Sequence, residues 1–135
     1  MIVPTHLGVI MDGNRRFSRR LMEKPWMGHM WGLGKSRQVL QWACEAGIKY
    51  ITAYTLSLEN ITTRPKKELH YIISLLEEEA DNIMRNRDHV VHKFNVRVRF
   101  IGRISILPDA LQQIIHDVEM ASLDYKYHVL YVAVA

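Results

Sequence analysis

One cysteine in 135 residues, Cys44, excludes an internal disulfide and a zinc cluster built from cysteines. No apolar run approaches the roughly 20 residues needed to cross a bilayer as a helix. The opening stretch "MIVPTHLGVIMDG" lacks the basic region and small-residue cleavage site of a secretory signal. No internal repeat, low-complexity tract or interdomain linker interrupts the chain. These absences lead to the expectation of a cytoplasmic protein made of one domain, residues 1–135. With 48% hydrophobic and 24% charged residues, the chain is equipped to bury a core.

Acidic residues are scarce in the first half. Residues 1–67 hold 11 Lys/Arg against 4 Asp/Glu, whereas residues 68–135 hold 7 against 10, so the net charge of +4 conceals a strongly basic front half. That bias suits an anionic partner, whether phosphate, nucleic acid or a membrane surface.

Four short β-like runs punctuate the sequence: "LGVIMD" (7–12), "YITAYTLS" (50–57), "VRVRFIG" (96–102) and "HVLYVAVA" (128–135). The first, second and fourth are nearly continuous apolar stretches, the pattern of strands covered on both faces. The third alternates, with Arg97 and Arg99 on one side, and reads as an edge strand. Helical spacing links Val39, Leu40, Trp42, Ala43 and Ala46, with Gly47 as a natural stop. A longer stripe runs from Leu69 to Met84 behind Pro65, and a third follows Pro108. The order β-α-β-α-β-α-β implies an α/β fold with a mostly parallel central sheet flanked by helices.

"IMDGNRR" (10–16) places a carboxylate at the carboxyl end of a strand, where open α/β sheets gather their ligands. Backbone N–H groups of Gly13, Asn14, Arg15 and Arg16 at a helix start would favour an anion, and arginines add bidentate phosphate donors. Asp12 would repel that phosphate unless a divalent cation lay between them, which points to Mg2+. The plainer alternative is an N-capping aspartate followed by a solvated basic helix face. "ENITTRP" (59–65) follows the second strand, so a parallel sheet brings Ser57, Glu59, Asn60 and Arg64 beside Asp12. His29 in "KPWMGH" precedes the next helix.

Taken together, "HLGVIMDGNRRFSRR", the "GH" that follows, "YTLSLENITTRPKKEL" and "NVRVRFIGRISILPDALQQII" resemble the cis-prenyltransferase family, the Z-type isoprenyl diphosphate synthases that include undecaprenyl diphosphate synthase. "KPWMGH" resembles the archaeal branch, and the match spans essentially all 135 residues. The resemblance implies a truncated form of the undecaprenyl diphosphate synthase fold, and an isoprenyl transferase that condenses isopentenyl diphosphate onto farnesyl or geranylgeranyl diphosphate. By that resemblance Asp12 is the metal-linked catalytic carboxylate, with Mg2+ as cofactor. Gly13, Asn14, Arg15, Arg16 and Phe17 hold the allylic diphosphate, and His29 contacts the departing diphosphate. Ser57, Leu58, Glu59, Asn60 and Ile61 surround the reacting carbons, with Asn60 assigned to proton abstraction, and Arg64 supports the loop. An apolar product tunnel would run between the sheet and two helices, walled by Leu69, Ile72, Ile73, Leu76 and Ile83.

Several departures accompany the match. Pro25 stands where many members carry a basic residue, three residues separate Asn60 from Arg64 instead of two, and Ile61 replaces an aromatic. The family's isopentenyl diphosphate-binding arginines and further strands have no counterpart, so the chain corresponds to the N-terminal catalytic half. The expectation is a homodimer, or a second subunit that supplies the remainder, with peripheral membrane association through the lipid product. A non-catalytic partner that binds allylic diphosphate is the alternative. "GLGKS" (32–36) lacks the strand and first glycine of a phosphate-binding loop, and no aromatic-rich nucleic-acid signature accompanies the basic cluster. "HVVH" (89–92) offers helical spacing but no further metal ligands.

Overall fold

The computed structural model describes residues 3–10, 28–56 and 66–134. Four strands, β1 (His6–Ile10), β2 (Tyr50–Leu56), β3 (Val96–Gly102) and β4 (His128–Val134), form one sheet in the order β1-β2-β4-β3. Every pairing is parallel, with His6 opposite Tyr50, Ile51 opposite Leu130 and Val98 opposite Leu130. Three long helices alternate with the strands: α1 (Gly28–Glu45), α2 (Lys66–Arg85) and α4 (Asp109–Ala121). A short turn of helix, α3 (Val90–Lys93), leads into β3.

The stop of α1 follows from its sequence. Gly47 adopts φ +84°, a left-handed conformation open to glycine without a Cβ penalty. Its N–H then reaches the carbonyl of Cys44 at 3.0 Å, and the Ile48 N–H reaches Ala43 at 3.0 Å. Those two bonds satisfy carbonyls that the helix end would otherwise leave bare, and Ile48 is buried beside them. The helix α4 begins after Pro108, whose carbonyl accepts from both Leu111 and Gln112.

Parallel register sorts the strand residues onto two faces. Leu7 and Val9, Ile51 and Ala53, Leu130 and Val132, and Val98 and Phe100 share one face. Against it pack Leu40, Ala43 and Cys44 of α1, Ala80 and Ile83 of α2, and Val118 of α4, so hydrocarbon from three helices closes on one side of the sheet. The other face carries Tyr50 and Tyr54, Val129 and Tyr131, and Arg97 and Arg99. Tyr54 is 56% exposed and Ile101 42% exposed. The two-sided burial expected of β2 and β4 is therefore only partial among the described residues: Thr52 is buried beside the exposed Tyr54, and β4 is half-buried on both faces up to the buried Val134. Tyrosine, threonine and valine are strand formers that tolerate either environment, and their apolar bulk makes a half-covered strand read as a buried one.

The position of β3 at the sheet edge agrees with its alternating pattern: Val96 and Val98 are buried and Arg99 is exposed. Its outward N–H groups do not stay bare. The Val98 N–H donates to Ser122 Oγ at 2.9 Å, and the Phe100 N–H donates to Glu119 Oε2 at 3.0 Å. The end of α4 thus covers an edge that would otherwise template association.

Candidate functional site

β1 and β2 end side by side, since Ile10 lies opposite Tyr54. The chain leaves the described residues just after each of these strand ends, at Ile10 and at Leu56. Asp12, Gly13, Asn14, Arg15, Arg16 and Phe17, and Ser57, Leu58, Glu59, Asn60, Ile61 and Arg64, lie outside the described residues. His29 is the second residue of α1. The helix returns to the amino end of β2 through residues 46–49, and its 18 residues span about 27 Å. Its first turn, with His29, therefore belongs to the carboxyl end of the sheet. "GLGKS" is wound into α1, a helix interior rather than a phosphate-cradling loop.

Beneath the apolar sheet face lies a cavity of about 190 Å³. Val9, Ala53, Val98 and Val132 form its sheet side, and Val39 and Leu40 of α1 and Leu76 and Ile83 of α2 form its helix side. Leu76 and Ile83 stand where the tunnel wall was expected. Ile73 packs instead beside Leu107 and Leu111, and the side chains of Leu69 and Ile72 lie outside the described set. The fourth side, Leu111, Ile114, Ile115 and Val118 of α4, was not assigned to the wall by the sequence. The apolar spacing after Pro108 was the available signal, and it reads equally well as plain core.

Four lining side chains are polar: Ser36, Arg37, Glu79 and His89. His89 Nδ1 accepts the Val91 N–H at 3.1 Å, so the ring proton sits on Nε2 and donates to Glu79 Oε1 at 2.5 Å. Glu79 Oε2 lies 3.6 Å from Arg37 Nε, within ion-pair range. That Nε is buried and has no hydrogen-bond partner among the described residues. His92, the other histidine of "HVVH", uses Nδ1 on the Tyr125 hydroxyl at 2.6 Å and Nε2 on the Ile83 carbonyl at 2.5 Å. Both rings act as structural pins between α2, α3 and the segment before β4.

Cys44 sits in the core where α1 meets the sheet. Burial, helped by the charge of Glu45, pushes its thiol up to about 11. A thiol so held is protonated at neutral pH and is a packing group rather than a nucleophile.

Known proteins share this fold. The family model described as "Putative undecaprenyl diphosphate synthase" matches residues 10–135. A tritrans,polycis-undecaprenyl-diphosphate synthase (geranylgeranyl-diphosphate specific) of Methanopyrus kandleri is 43% identical over 133 residues, which is 98% of this chain and 48% of that protein. The Pyrococcus horikoshii protein of the same name is 37% identical over 134 residues, covering 99% of this chain and 50% of its own length. The crystal structure of lavandulyl diphosphate synthase from Lavandula x intermedia, in complex with dimethylallyl diphosphate, superposes with a TM-score of 0.86 at 28% identity. It covers 98% of this chain and 55% of that one. The chain thus spans about half the length of the curated relatives it matches.

Proposed function

The chain belongs to the undecaprenyl diphosphate synthase family, and on that footing we propose that it is the allylic-substrate half of a cis-prenyltransferase. It binds farnesyl or geranylgeranyl diphosphate, and in a complete enzyme the bound primer is extended by isopentenyl diphosphate to a cis-polyprenyl diphosphate. The observation that carries this reading is the apolar cavity between the sheet and three helices, in a fold whose β1 and β2 end together. A long hydrocarbon needs such a lining. About 0.8 kcal/mol is gained for each methylene removed from water.

At the polar end, Asp12 follows β1 by two residues, and Gly13, Asn14, Arg15 and Arg16 follow it. In this reading their N–H and guanidinium groups bind the diphosphate, with Phe17 beside it and His29 on the departing oxygens. Ionisation of the primer breaks the allylic C–O bond and builds negative charge on the leaving group. Donors fixed in advance stabilise that charge more than the ground state. Ser57, Leu58, Glu59 and Ile61 shape the space around the reacting carbons, and Arg64 steadies their loop. Asn60 orients the proton lost from isopentenyl diphosphate toward a diphosphate oxygen, since neutral Asn is a weak base by itself. Mg2+ suits the donor set, because a hard carboxylate beside a diphosphate is tolerated when a hard cation sits between them. When bound, that ion supplies charge neutralisation to the leaving diphosphate.

The half-length match favours a second reading, in which this chain binds allylic diphosphate and a partner completes the enzyme. A homodimer or a second subunit supplies the isopentenyl diphosphate site. The long polyprenyl product would bring the assembly to a membrane surface. No described helix is long and apolar enough to cross one.

Titration calorimetry with farnesyl and geranylgeranyl diphosphate tests the binding step. Saturable heat that weakens when Mg2+ is chelated is expected, and its absence overturns the proposal. Elongation of labelled isopentenyl diphosphate, by this chain alone and with a C-terminal half from the Methanopyrus kandleri relative, separates the two readings. Turnover that appears only with the second half favours the subunit reading.

A further inference from the structure

Arg37 of α1, Glu79 of α2 and His89 of the turn before α3 form one connected polar set in the cavity wall. Glu79 lies six residues before the end of α2, and His89 lies between that end and the start of β3. The set therefore sits toward the amino ends of the strands, opposite the end where β1 and β2 close. Apart from Ser36, the rest of the lining is hydrocarbon.

The hydrogen bonds within the set leave one donor over. His89 Nδ1 accepts the Val91 N–H, which puts the ring proton on Nε2 and leaves the ring uncharged. That proton goes to Glu79 Oε1. Glu79 Oε2 lies 3.6 Å from Arg37 Nε, close enough to balance the guanidinium charge and too far for a hydrogen bond. The buried Nε has no hydrogen-bond partner among the described residues. A bare buried N–H is unfavourable, so the site favours whatever supplies an acceptor there. Charge decides the class of that acceptor. Arg37 and Glu79 already offset one another, so an added carboxylate or phosphate would meet Glu79 Oε2 at close range. A neutral hydroxyl does better: its oxygen accepts from Arg37 Nε–H while its proton goes to Glu79 Oε2, which fills the 3.6 Å gap with two hydrogen bonds. An ether or carbonyl oxygen makes only the first. The hydrocarbon walls require that the hydroxyl be carried on an aliphatic chain. An apolar cavity of about 150 Å³ holds benzene, so this one of about 190 Å³ admits an aliphatic chain of roughly eight carbons.

We infer that Arg37 and Glu79 form a hydroxyl-binding subsite, and that the protein binds aliphatic primary alcohols in the cavity with the hydroxyl between Arg37 Nε and Glu79 Oε2. The alkyl chain then runs along the hydrocarbon walls toward Val9 and Ala53. His89 is a positioning residue, since it holds Glu79 Oε1 and so leaves Oε2 facing Arg37. The alcohol lies head to tail with respect to the prenyl diphosphate proposed above, with its polar end at the other end of the cavity. It draws on none of the diphosphate contacts, so the subsite stands or falls apart from that reading.

Four probes test it on the whole chain by ligand-observed NMR titration: 1-octanol, heptyl methyl ether, octanoate and farnesyl diphosphate. The ether matches octanol in carbon count and keeps an acceptor without a donor, and octanoate adds the charge. In the native protein octanol should bind roughly tenfold more tightly than the ether, and octanoate more weakly than octanol. In Arg37→Met the octanol-to-ether ratio should fall by about threefold or more, because the bare donor is gone. A merely loosened cavity weakens both probes alike and leaves the ratio in place, so an unchanged ratio in Arg37→Met overturns the inference. The native titrations are decisive without any variant: octanol binding no better than the ether, as when a retained water satisfies Arg37 Nε, overturns it, and so does octanoate binding more tightly than octanol. Farnesyl diphosphate separates this inference from the proposed function. If it fails to bind while the alcohol preference holds, the hydroxyl subsite stands and the proposed function is removed. If it binds while octanol shows no preference over the ether, the proposed function stands and the subsite is removed.

Discussion

At the scale of single residues, three positions make sharp demands. Cys44 has its thiol raised from 9.0 to about 11 by burial, so at pH 8 only about a thousandth is thiolate, against about a tenth for an unperturbed thiol. Alkylation by iodoacetamide at pH 8 should be at least fiftyfold slower in the native protein than in urea, read by mass spectrometry. The same shift fixes a sign for stability. Folded and unfolded thiols are both protonated below 9.0, and between 9.0 and about 11 the unfolded chain loses its proton first. Stability therefore falls as pH rises through that window, and Cys44→Ser should flatten that part of the profile. Gly102 adopts φ +107° opposite Val134, and a Cβ there would run into the Val134 carbonyl oxygen, which already accepts the Arg103 N–H. Gly102→Ala should cost roughly 3 kcal/mol in urea unfolding. Asp12→Ala, by contrast, should abolish condensation in a complete enzyme while its melting temperature moves little. Normal turnover in that variant would remove the catalytic assignment.

At the scale of elements, α4 is the part whose role the sequence conceals. Its Ser122 Oγ accepts the Val98 N–H and donates to the Val118 carbonyl, and it is fully buried. Ser122→Ala strands a buried N–H at the open edge of β3 and should cost about 1–3 kcal/mol, with edge pairing appearing as a concentration-dependent sedimentation coefficient. An unchanged unfolding free energy would show that water replaces the hydroxyl without penalty. The strands themselves were legible, because parallel pairing needs apolar runs and those runs survive as β1 to β4 within two residues of their expected ends. The stop of α1 was legible too, since Gly47 is the residue a left-handed helix end requires. The edge bonds of Ser122 and Glu119 were not. They join residues 24 and 19 positions apart, and no local pattern marks a serine as the cap of a distant strand. The polar cluster was equally hidden, since Arg37 and Glu79 are ordinary helix residues until α1 and α2 are side by side. The motif segments raise a different problem. The chemistry expected of them rests on residue types and on the family resemblance, and Asp12 and Asn60 lie outside the described residues.

At the scale of the whole molecule, three separate facts align. The basic surplus lies in residues 1–67, the helices enclose an apolar cavity on one sheet face, and the chain matches about half of each curated relative. An amphiphile with an anionic head requires a charged mouth over a hydrocarbon pocket, and the proposed function assigns that mouth to the basic segments after β1 and β2, which lie outside the described residues. Tyr54, Arg99 and Ile101 are exposed on one sheet face, so a completed enzyme that covers that face should protect those strands from hydrogen exchange relative to this chain by itself. In the proposed function the cavity holds the tail of an allylic diphosphate whose head rests where β1 and β2 end. Diffraction from crystals grown with farnesyl thiodiphosphate and Mg2+ tests it most directly. A farnesyl chain is expected between Val98 of the sheet and Leu76 of α2, with its diphosphate just beyond Ile10. A diphosphate bound elsewhere, or a farnesyl chain lying outside the cavity, would contradict it.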